Sequence, residues 1–220
     1  MRYLIHACPD RIEYVQKYLI PSMLAQGIPK DKIHLWYDKN RKGNLVSWVE
    51  SCEECGTLDG GTWHLQDDVI ISREFAKQTK KHCGDEVVCG FVNETFGPDS
   101  SDYGEHIPAI FMWNSFQCIY IPNHMAKEFV EWFRSDEVQS KFQGWIAANK
   151  FDDSFWREFF LERYSDTTVT NIKPCIVDHI DYLLGGSVIN RWRGYLSRAS
   201  WWDDEDLVQE LKDKLATRAI

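Results

Sequence analysis

Two adjacent carboxylates interrupt an apolar segment in the first third of the chain. Asp67 and Asp68 follow Gln66 in the stretch WHLQDDVIIS, residues 63–72. Burying carboxylates inside an apolar run is costly unless a cation or hydrogen-bond donors neutralise them. Because Asp oxygens are ligands that Mg²⁺ and Mn²⁺ accept, the pattern indicates a metal site. The alternative is that the apolar run ends there and both acids lie in a solvated turn.

This segment resembles the acidic D-x-D-like turn of the GT-A class of nucleotide-sugar glycosyltransferases, in its "EDD" version. The resemblance implies that Gln66 and Asp68 face a divalent ion, Mn²⁺ or Mg²⁺, together with the donor diphosphate. It also implies that Asp67 faces the donor sugar or ribose. Gln66 departs from the family pattern, since an acid is commoner at that position and a neutral amide adds no charge to the metal site.

A second match lies late in the chain, in PCIVDHIDYLLGGS, residues 174–187. This stretch resembles the late His-containing segment of several GT-A families, which implies that His179 is a further metal ligand. The same resemblance makes Gly185, Gly186 and Ser187 the turn that contacts the donor diphosphate. Backbone N–H groups of glycines can approach an anion closely. The alternative for His179 is a structural histidine in an apolar segment.

Two further acids, Asp152 and Asp153, stand directly before an aromatic helical pattern. Inverting GT-A enzymes often place a catalytic carboxylate at such a helix start, so the resemblance makes these acids the candidate general base, with Asp153 preferred. A carboxylate there would deprotonate the acceptor hydroxyl as it attacks the sugar. The alternative is a helix N-cap alone. Retaining chemistry needs no such base, so the stereochemical course stays open.

The elements at the start of the chain place these residues. Residues 2–8 predict a strand, Asp10 caps a following helix, and residues 32–38 predict a second strand. A βαβ unit of this kind implies parallel strands, whose carboxyl ends bind ligands in open α/β sheets. Arg11 and Asp38 lie at those ends and are therefore donor-binding candidates. The alternative for each is an ordinary capping or surface role.

The rest of the pattern predicts an α/β fold, a GT-A-like, Rossmann-type mixed sheet flanked by helices. We expect one domain over residues 1–190 and a C-terminal extension over 191–220, which ends in an amphipathic helix. The further predicted elements are helices around 45–52, 126–133 and 153–160 and strands over 86–92, 107–113 and 116–122.

The extension opens with a basic and aromatic stretch, RWRGYLSRASWW, residues 191–202. Cations next to flat rings suit nucleic-acid phosphates and unstacked bases, and also sugars. Arg191, Trp192 and Arg193, together with Trp113, are therefore the acceptor-binding candidates. The alternative is that these side chains pack the tail onto the domain.

The amino-acid composition limits the kinds of partner that we expect the protein to bind. The 220 residues carry 25 basic and 34 acidic side chains, a net charge of −9, which argues against a protein built to bind phosphate backbones while leaving room for a local basic patch. No apolar run approaches the roughly 18 residues of a membrane span. No secretory signal is seen at the N-terminus. We therefore expect a cytoplasmic protein without a membrane partner, as a monomer or small homo-oligomer.

Cysteine and tryptophan counts add two expectations. Seven cysteines, an odd number, predict reduced thiols, and Cys52-x-x-Cys55 lacks the second pair of a zinc site. Ten tryptophans exceed what a core of this size needs, so some of them should line a binding surface.

Together these features predict a metal-dependent glycosyltransferase that moves a sugar from a nucleoside-diphosphate sugar to an acceptor hydroxyl. The acceptor is left open among a hydroxylated DNA base of a phage, a glycan and a protein. The alternatives are a nucleotide- or sugar-binding module without turnover and a metal-dependent phosphohydrolase.

Overall fold

The computed structural model describes residues 1–91, 116–149, 152–172, 175–180, 209 and 213, and the backbone of 106–108. The strands in this part of the chain are β1 (Arg2–Ala7), β2 (Ile33–Tyr37), β3 (Gly61–Gln66), β4 (Val69–Ile71), β5 (Val88–Cys89), β6 (His106–Pro108), β7 (Cys118–Pro122), β8 (Thr168–Asn171) and β9 (Val177–His179).

Helices cover both faces of the strands. The α-helices in the described part are α1 (Ile12–Tyr14), α2 (Ile20–Ala25), α3 (Asn44–Gly56), α4 (Phe75–Lys81), α5 (Asn123–Phe133), α6 (Asp136–Lys141), α7 (Gln143–Ala148) and α8 (Asp152–Arg163). A π-helical stretch, Val15–Leu19, joins α1 to α2, and a short 3₁₀ turn, Lys30–Lys32, precedes β2.

Seven of the described strands form one mixed sheet in the order β2-β1-β3-β7-β5-β8-β6. Strands β2, β1 and β3 are parallel, β7 runs antiparallel to β3, β5 is parallel to β8, and β6 is antiparallel to β8. Strands β4 and β9 pair separately as a two-stranded antiparallel sheet. The predicted mixed sheet flanked by helices is therefore confirmed.

The sheet separates two apolar cores, because successive side chains of a strand point to opposite faces. On β1, Leu4 packs with Trp48 of α3 and Phe129 of α5. Tyr3 and Ile5 face the other way, toward the helices that follow β1 and toward α4. Among the described helices, none combines the length and the apolarity needed to cross a bilayer.

Tryptophans fill these cores more than the sequence led us to expect. Trp48, Trp63, Trp132 and Trp156 are each 4% exposed or less. Trp156 packs edge-on to Trp48 and against Phe129, so several large rings interlock between α3, α5 and α8. These four tryptophans therefore pack in the core, and one of them, Trp48, also borders the cleft described below.

The start of the first helix also differs from the prediction. Arg11 occupies the N-cap position and its side chain makes no cap hydrogen bond. Asp10, the predicted cap, instead pairs with Arg41, with an N···O separation of 2.7 Å. The guanidinium offers a full positive charge, and this contact takes the carboxylate away from the helix end.

Strand β5 is shorter than the strand that the sequence pattern predicts. Residues 86–92 predict one strand, but regular pairing covers only Val88–Cys89. Hydrogen bonds continue irregularly on both sides, since Thr170 N–H donates to Val87 C=O at 3.1 Å and Gly90 N–H donates to Cys118 C=O at 2.8 Å. The backbone thus stays satisfied at both ends of β5 without extending the regular ladder.

Packing at Gly90 leaves no room for a side chain. A Cβ there would lie 2.7 Å from Cys118 Sγ and 2.9 Å from Ile176 Cγ1. We expect Gly90→Ala to lower the free energy of unfolding by about 1–3 kcal/mol, measured by urea denaturation, because these buried neighbours must shift. Gly84→Ala is the matched control, since a Cβ at Gly84 meets nothing within 4 Å. Equal losses for the two variants would contradict this packing account.

Candidate functional site

A cleft opens at the carboxyl edge of the three parallel strands and encloses about 150 Å³. Five residues singled out from the sequence line it: Asp38, Gln66, Asp67, Asp68 and Asp152. Further lining residues were not predicted, among them His6, Asn44, Ser47, Trp48 and Phe116.

Strand register brings these residues together. His6 near the end of β1 lies opposite Trp36 of β2 on one side and Gln66 of β3 on the other. Parallel strands in register end at the same edge, so the loops that follow β1, β2 and β3 meet there. The carboxyl edge of these parallel strands, where the sequence predicts ligand binding, therefore forms a cleft.

Asp67 ties the turn after β3 to the loop after β1. Its Oδ2 accepts a hydrogen bond from the Cys8 backbone N–H at 2.7 Å. Burial and the neighbouring Asp68 carboxylate raise the pKa of Asp67, while the Cys8 N–H and the positive charge of Arg11 oppose that rise. Asp67 thus holds two loops of the cleft together, a role that the sequence did not predict.

Asp68 and His179, from the two segments that carry the resemblance, lie next to each other. Asp68 Oδ2 lies 3.1 Å from His179 Nε2. The β4–β9 ladder positions them, because it pairs Val69 with His179, and Ile180 N–H donates to Asp68 C=O at 2.8 Å. Asp68 Oδ1 is buried and has no hydrogen-bond partner in the described part of the chain.

These groups fit a hard divalent cation in part. An unpaired carboxylate oxygen, an imidazole nitrogen and the amide oxygen of Gln66 are donors that Mn²⁺ accepts. Within the described residues, however, no group of three or more His, Cys, Asp or Glu side chains is placed to hold a metal ion. That finding also leaves the Cys52–Cys55 pair, buried on α3, without the further ligands of a zinc site.

The two acids before the aromatic pattern lie in the first turn of α8, and they differ in placement. Asp152 lines the cleft. Asp153 Oδ1 accepts from the backbone N–H of Ser154 at 2.6 Å and from its hydroxyl at 3.2 Å. Burial, and next the Asp153 charge, raise the pKa of Asp152 to about 7, and burial raises the pKa of Asp153.

The two donor-binding candidates near the strand ends occupy different surroundings. Asp38 lines the cleft, but Oδ1 accepts from the Lys42 N–H at 2.9 Å and Oδ2 from the Gly43 N–H at 3.2 Å. Its carboxylate therefore shapes the loop before α3. Arg11 is buried, 5% exposed, within range of the Asp67 charge.

Several candidates lie outside the described residues. They are Trp113, Gly185, Gly186, Ser187, Arg191, Trp192 and Arg193.

A histidine pair that includes the cleft-lining His6 was missed from the sequence. His6 Nε2 lies 3.0 Å from His64 Nδ1, and Trp48 packs beside both rings. Burial lowers the pKa of His6 to about 3. Burial, His6 and Arg2 together lower the pKa of His64 well below its ordinary value. The available signal was a histidine in each of two predicted strands, but the pairing of those strands is not visible in the sequence.

No protein-family model matches the chain, and no curated protein matches it. One solved structure that it resembles is a galactosyltransferase, LgtC, in complex with donor and acceptor sugar analogues. That match has a TM-score of 0.49 and 9% sequence identity, over 97% of this chain and 96% of that one. What the cleft can do therefore follows from its own residues.

The raised pKa of Asp152 links stability to pH. In the unfolded chain this carboxyl ionises near its ordinary value, whereas in the folded protein it resists ionisation up to about pH 7. Its contribution to stability is full below pH 4 and is lost as the pH rises through 7. We expect Asp152→Asn to gain stability relative to the wild type between pH 4 and pH 8, on the order of 2 kcal/mol after allowance for partial solvent access.

Urea denaturation at each pH measures this difference. Asp31→Asn, at an exposed turn outside the cleft lining, is the matched control, and the gain of Asp152→Asn with rising pH should exceed that of this control. A flat difference for Asp152→Asn would contradict the raised pKa.

Proposed function

We propose that the chain is a nucleotide-sugar glycosyltransferase that uses Mn²⁺ or Mg²⁺ and transfers a sugar to an acceptor hydroxyl. The observation that carries the proposal is the pairing of Asp68 with His179 beside Asp67, at a cleft on the carboxyl edge of parallel strands. Two segments that the GT-A resemblance singled out independently meet there. This meeting supports the resemblance, because neither segment's position in the sequence requires it.

Asp68, His179 and the amide oxygen of Gln66 would hold the metal. When bound, it would offset the negative charge that develops on the nucleoside-diphosphate leaving group. Asp67 keeps the turn in place through the Cys8 N–H. With only one carboxylate and one imidazole in the described set, we expect the donor diphosphate to complete the ligand shell, so that metal and donor bind together.

For the proton transfer we favour Asp152 over Asp153. Asp152 lines the cleft, whereas Asp153 is hydrogen-bonded to Ser154. A carboxylate with a pKa of about 7 is matched to accept a proton from a sugar or base hydroxyl near neutral pH. An inverting course follows from this assignment.

The acceptor side remains a proposal from sequence. Arg191, Trp192, Arg193 and Trp113 are its candidates, and Gly185, Gly186 and Ser187 are those for the donor diphosphate. A hydroxylated DNA base, a glycan and a protein are the acceptor classes to be compared.

The central test is ligand-induced stabilisation. A thermal-shift screen of UDP-, GDP-, ADP-, CDP- and dTDP-sugars, each with Mn²⁺ or with chelator, should find one nucleotide series that stabilises the protein only with metal. A ligand at about 100 times its Kd adds roughly 2.7 kcal/mol. We expect Asp68→Asn to remove the metal-dependent part of that gain, since it removes the charged ligand, and Asp31→Asn to retain it.

The outcome that would refute the metal assignment is an Asp68→Asn variant that binds donor with unchanged metal dependence. If no sugar nucleotide stabilises the wild type under any condition, the glycosyltransferase proposal fails. If donors bind but no acceptor class is ever glycosylated, the chain is a binding module.

A second test separates the two acids of α8. We expect Asp152→Asn to lower kcat by about 10²–10⁴-fold, as loss of a general base does. Asp153→Asn should stay within about tenfold of the wild type. Because the base must be deprotonated, the wild-type rate should rise with pH and level off above about 7. Release of nucleoside diphosphate in the presence of acceptor measures each rate.

Full turnover by Asp152→Asn would remove it as the base and favour a retaining course. A loss confined to Asp153→Asn would return the role to the residue that the sequence preferred.

A further inference from the structure

Two imidazoles lie end to end, and one of them, His6, lines the cleft. His6 Nε2 and His64 Nδ1 are 3.0 Å apart, the ring planes differ by 23°, and the ring centroids are 5.3 Å apart. The N···N distance, added to the distance from each ring centre to its bonded nitrogen, accounts for the separation of the two centroids. The contact is therefore an in-plane N–H···N hydrogen bond, which needs a proton on one nitrogen and a lone pair on the other.

The surroundings of His64 decide which nitrogen carries the proton. His64 is 1% exposed, and its second nitrogen, Nε2, is buried without a hydrogen-bond partner among the described residues. A buried N–H without an acceptor is rarer in proteins than an unfilled acceptor. The proton of His64 therefore lies on Nδ1, and His64 donates to His6.

This hydrogen bond sets the tautomer of His6. Its Nε2 must offer a lone pair to His64, so the proton of the neutral ring lies on Nδ1. His6 lines the cleft, and its Nδ1 has no hydrogen-bond partner within the described ranges. Trp48 packs against the ring, with centroids 5.1 Å apart, and limits its rotation. The cleft lining thus includes a hydrogen-bond donor, His6 Nδ1–H, on a ring held by Trp48 and His64.

We infer that His6 is a specificity residue that donates Nδ1–H to a carbonyl oxygen of the nucleotide base, with its tautomer set by His64. The inference rests on the proposed function for the nature of the ligand. Trp48 and Phe116 line the cleft together with His6, and their rings lie 4.8 Å apart between centroids, which suits a flat base. Uracil, cytosine, thymine and guanine have such an oxygen, and adenine has none.

The tautomer is tested without any ligand or turnover. Long-range ¹H–¹⁵N correlation spectra of ¹⁵N-histidine-labelled protein distinguish protonated from unprotonated ring nitrogens, and His6→Asn and His64→Asn spectra assign the signals. We expect Nδ1–H on both rings. His64→Asn places an amide donor near the position of Nδ1 and should keep Nδ1–H on His6, whereas His64→Leu removes the donor and should release the tautomer. Nε2–H on His6 in the wild type would overturn the inference.

Base selectivity tests the role. UDP, GDP and ADP share the sugar and diphosphate, so their affinity ratios, measured by calorimetry with Mn²⁺, isolate the base. We expect UDP or GDP to bind more tightly than ADP. His6→Leu and His64→Leu should each reduce that preference by roughly three- to tenfold, which is the value of one hydrogen bond. His64→Asn is the matched control, and both Leu variants should have an ADP affinity and a thermal stability close to those of this control.

The results separate this inference from the proposed function. An ADP preference, or a UDP-to-ADP ratio unchanged in His6→Leu and His64→Leu, would overturn the inference while donor-dependent turnover could still hold. Selective UDP or GDP binding that depends on both histidines, without sugar transfer to any acceptor, would support the inference and overturn the glycosyltransferase proposal. Failure of UDP, GDP, ADP, CDP and dTDP alike to bind would overturn both, and the NMR result would then describe the histidine pair alone.

Discussion

The burial of two adjacent carboxylates after β3 is the constraint on which the rest of the cleft depends. Neither charge is stable there without a partner. Asp67 takes the Cys8 N–H from the end of β1, and Asp68 takes His179 from the end of β9. The ends of three strands are therefore held together by the requirement that two acids be neutralised. The architecture around the cleft is a consequence of that electrostatic demand as much as of apolar packing.

The sequence predicted the elements whose periodicity is strong and failed where pattern is weak. Strands β1 and β2 and helix α5 follow from apolar spacing bounded by Gly, Pro and Asp. Strand β8, Thr168–Asn171, reads as polar and was missed, since its place in the sheet comes from pairing with β5 and β6. Asp10 satisfies every local rule for a cap, yet a distant guanidinium competes for it. The local preference of an aspartate for the helix N-cap is lost here because a guanidinium from a distant part of the sequence pairs with the carboxylate.

Residue types in the sequence singled out several residues that line the cleft, but they did not reveal how those residues are arranged. Residue types indicated a metal-binding acid and a late histidine, and the fold brings Asp68 and His179 together. Choosing between Asp152 and Asp153 required knowing which way the first turn of α8 faces, and two adjacent acids in a sequence carry no such information. The bond between His6 and His64 depends on the register of β1 against β3, which is a property of the sheet.

Asp68 and His179 stand about 110 positions apart in the chain, yet they close one small ladder between β4 and β9. Contacts of such long sequence separation form late in folding, because the chain must lose the entropy of closing the intervening loop before these contacts stabilise it. During synthesis, a ribosome-bound chain that ends before β9 already contains both acids of the turn but no imidazole to meet them. Asp68 therefore gains its imidazole partner late in biosynthesis, after most of the sheet has been made.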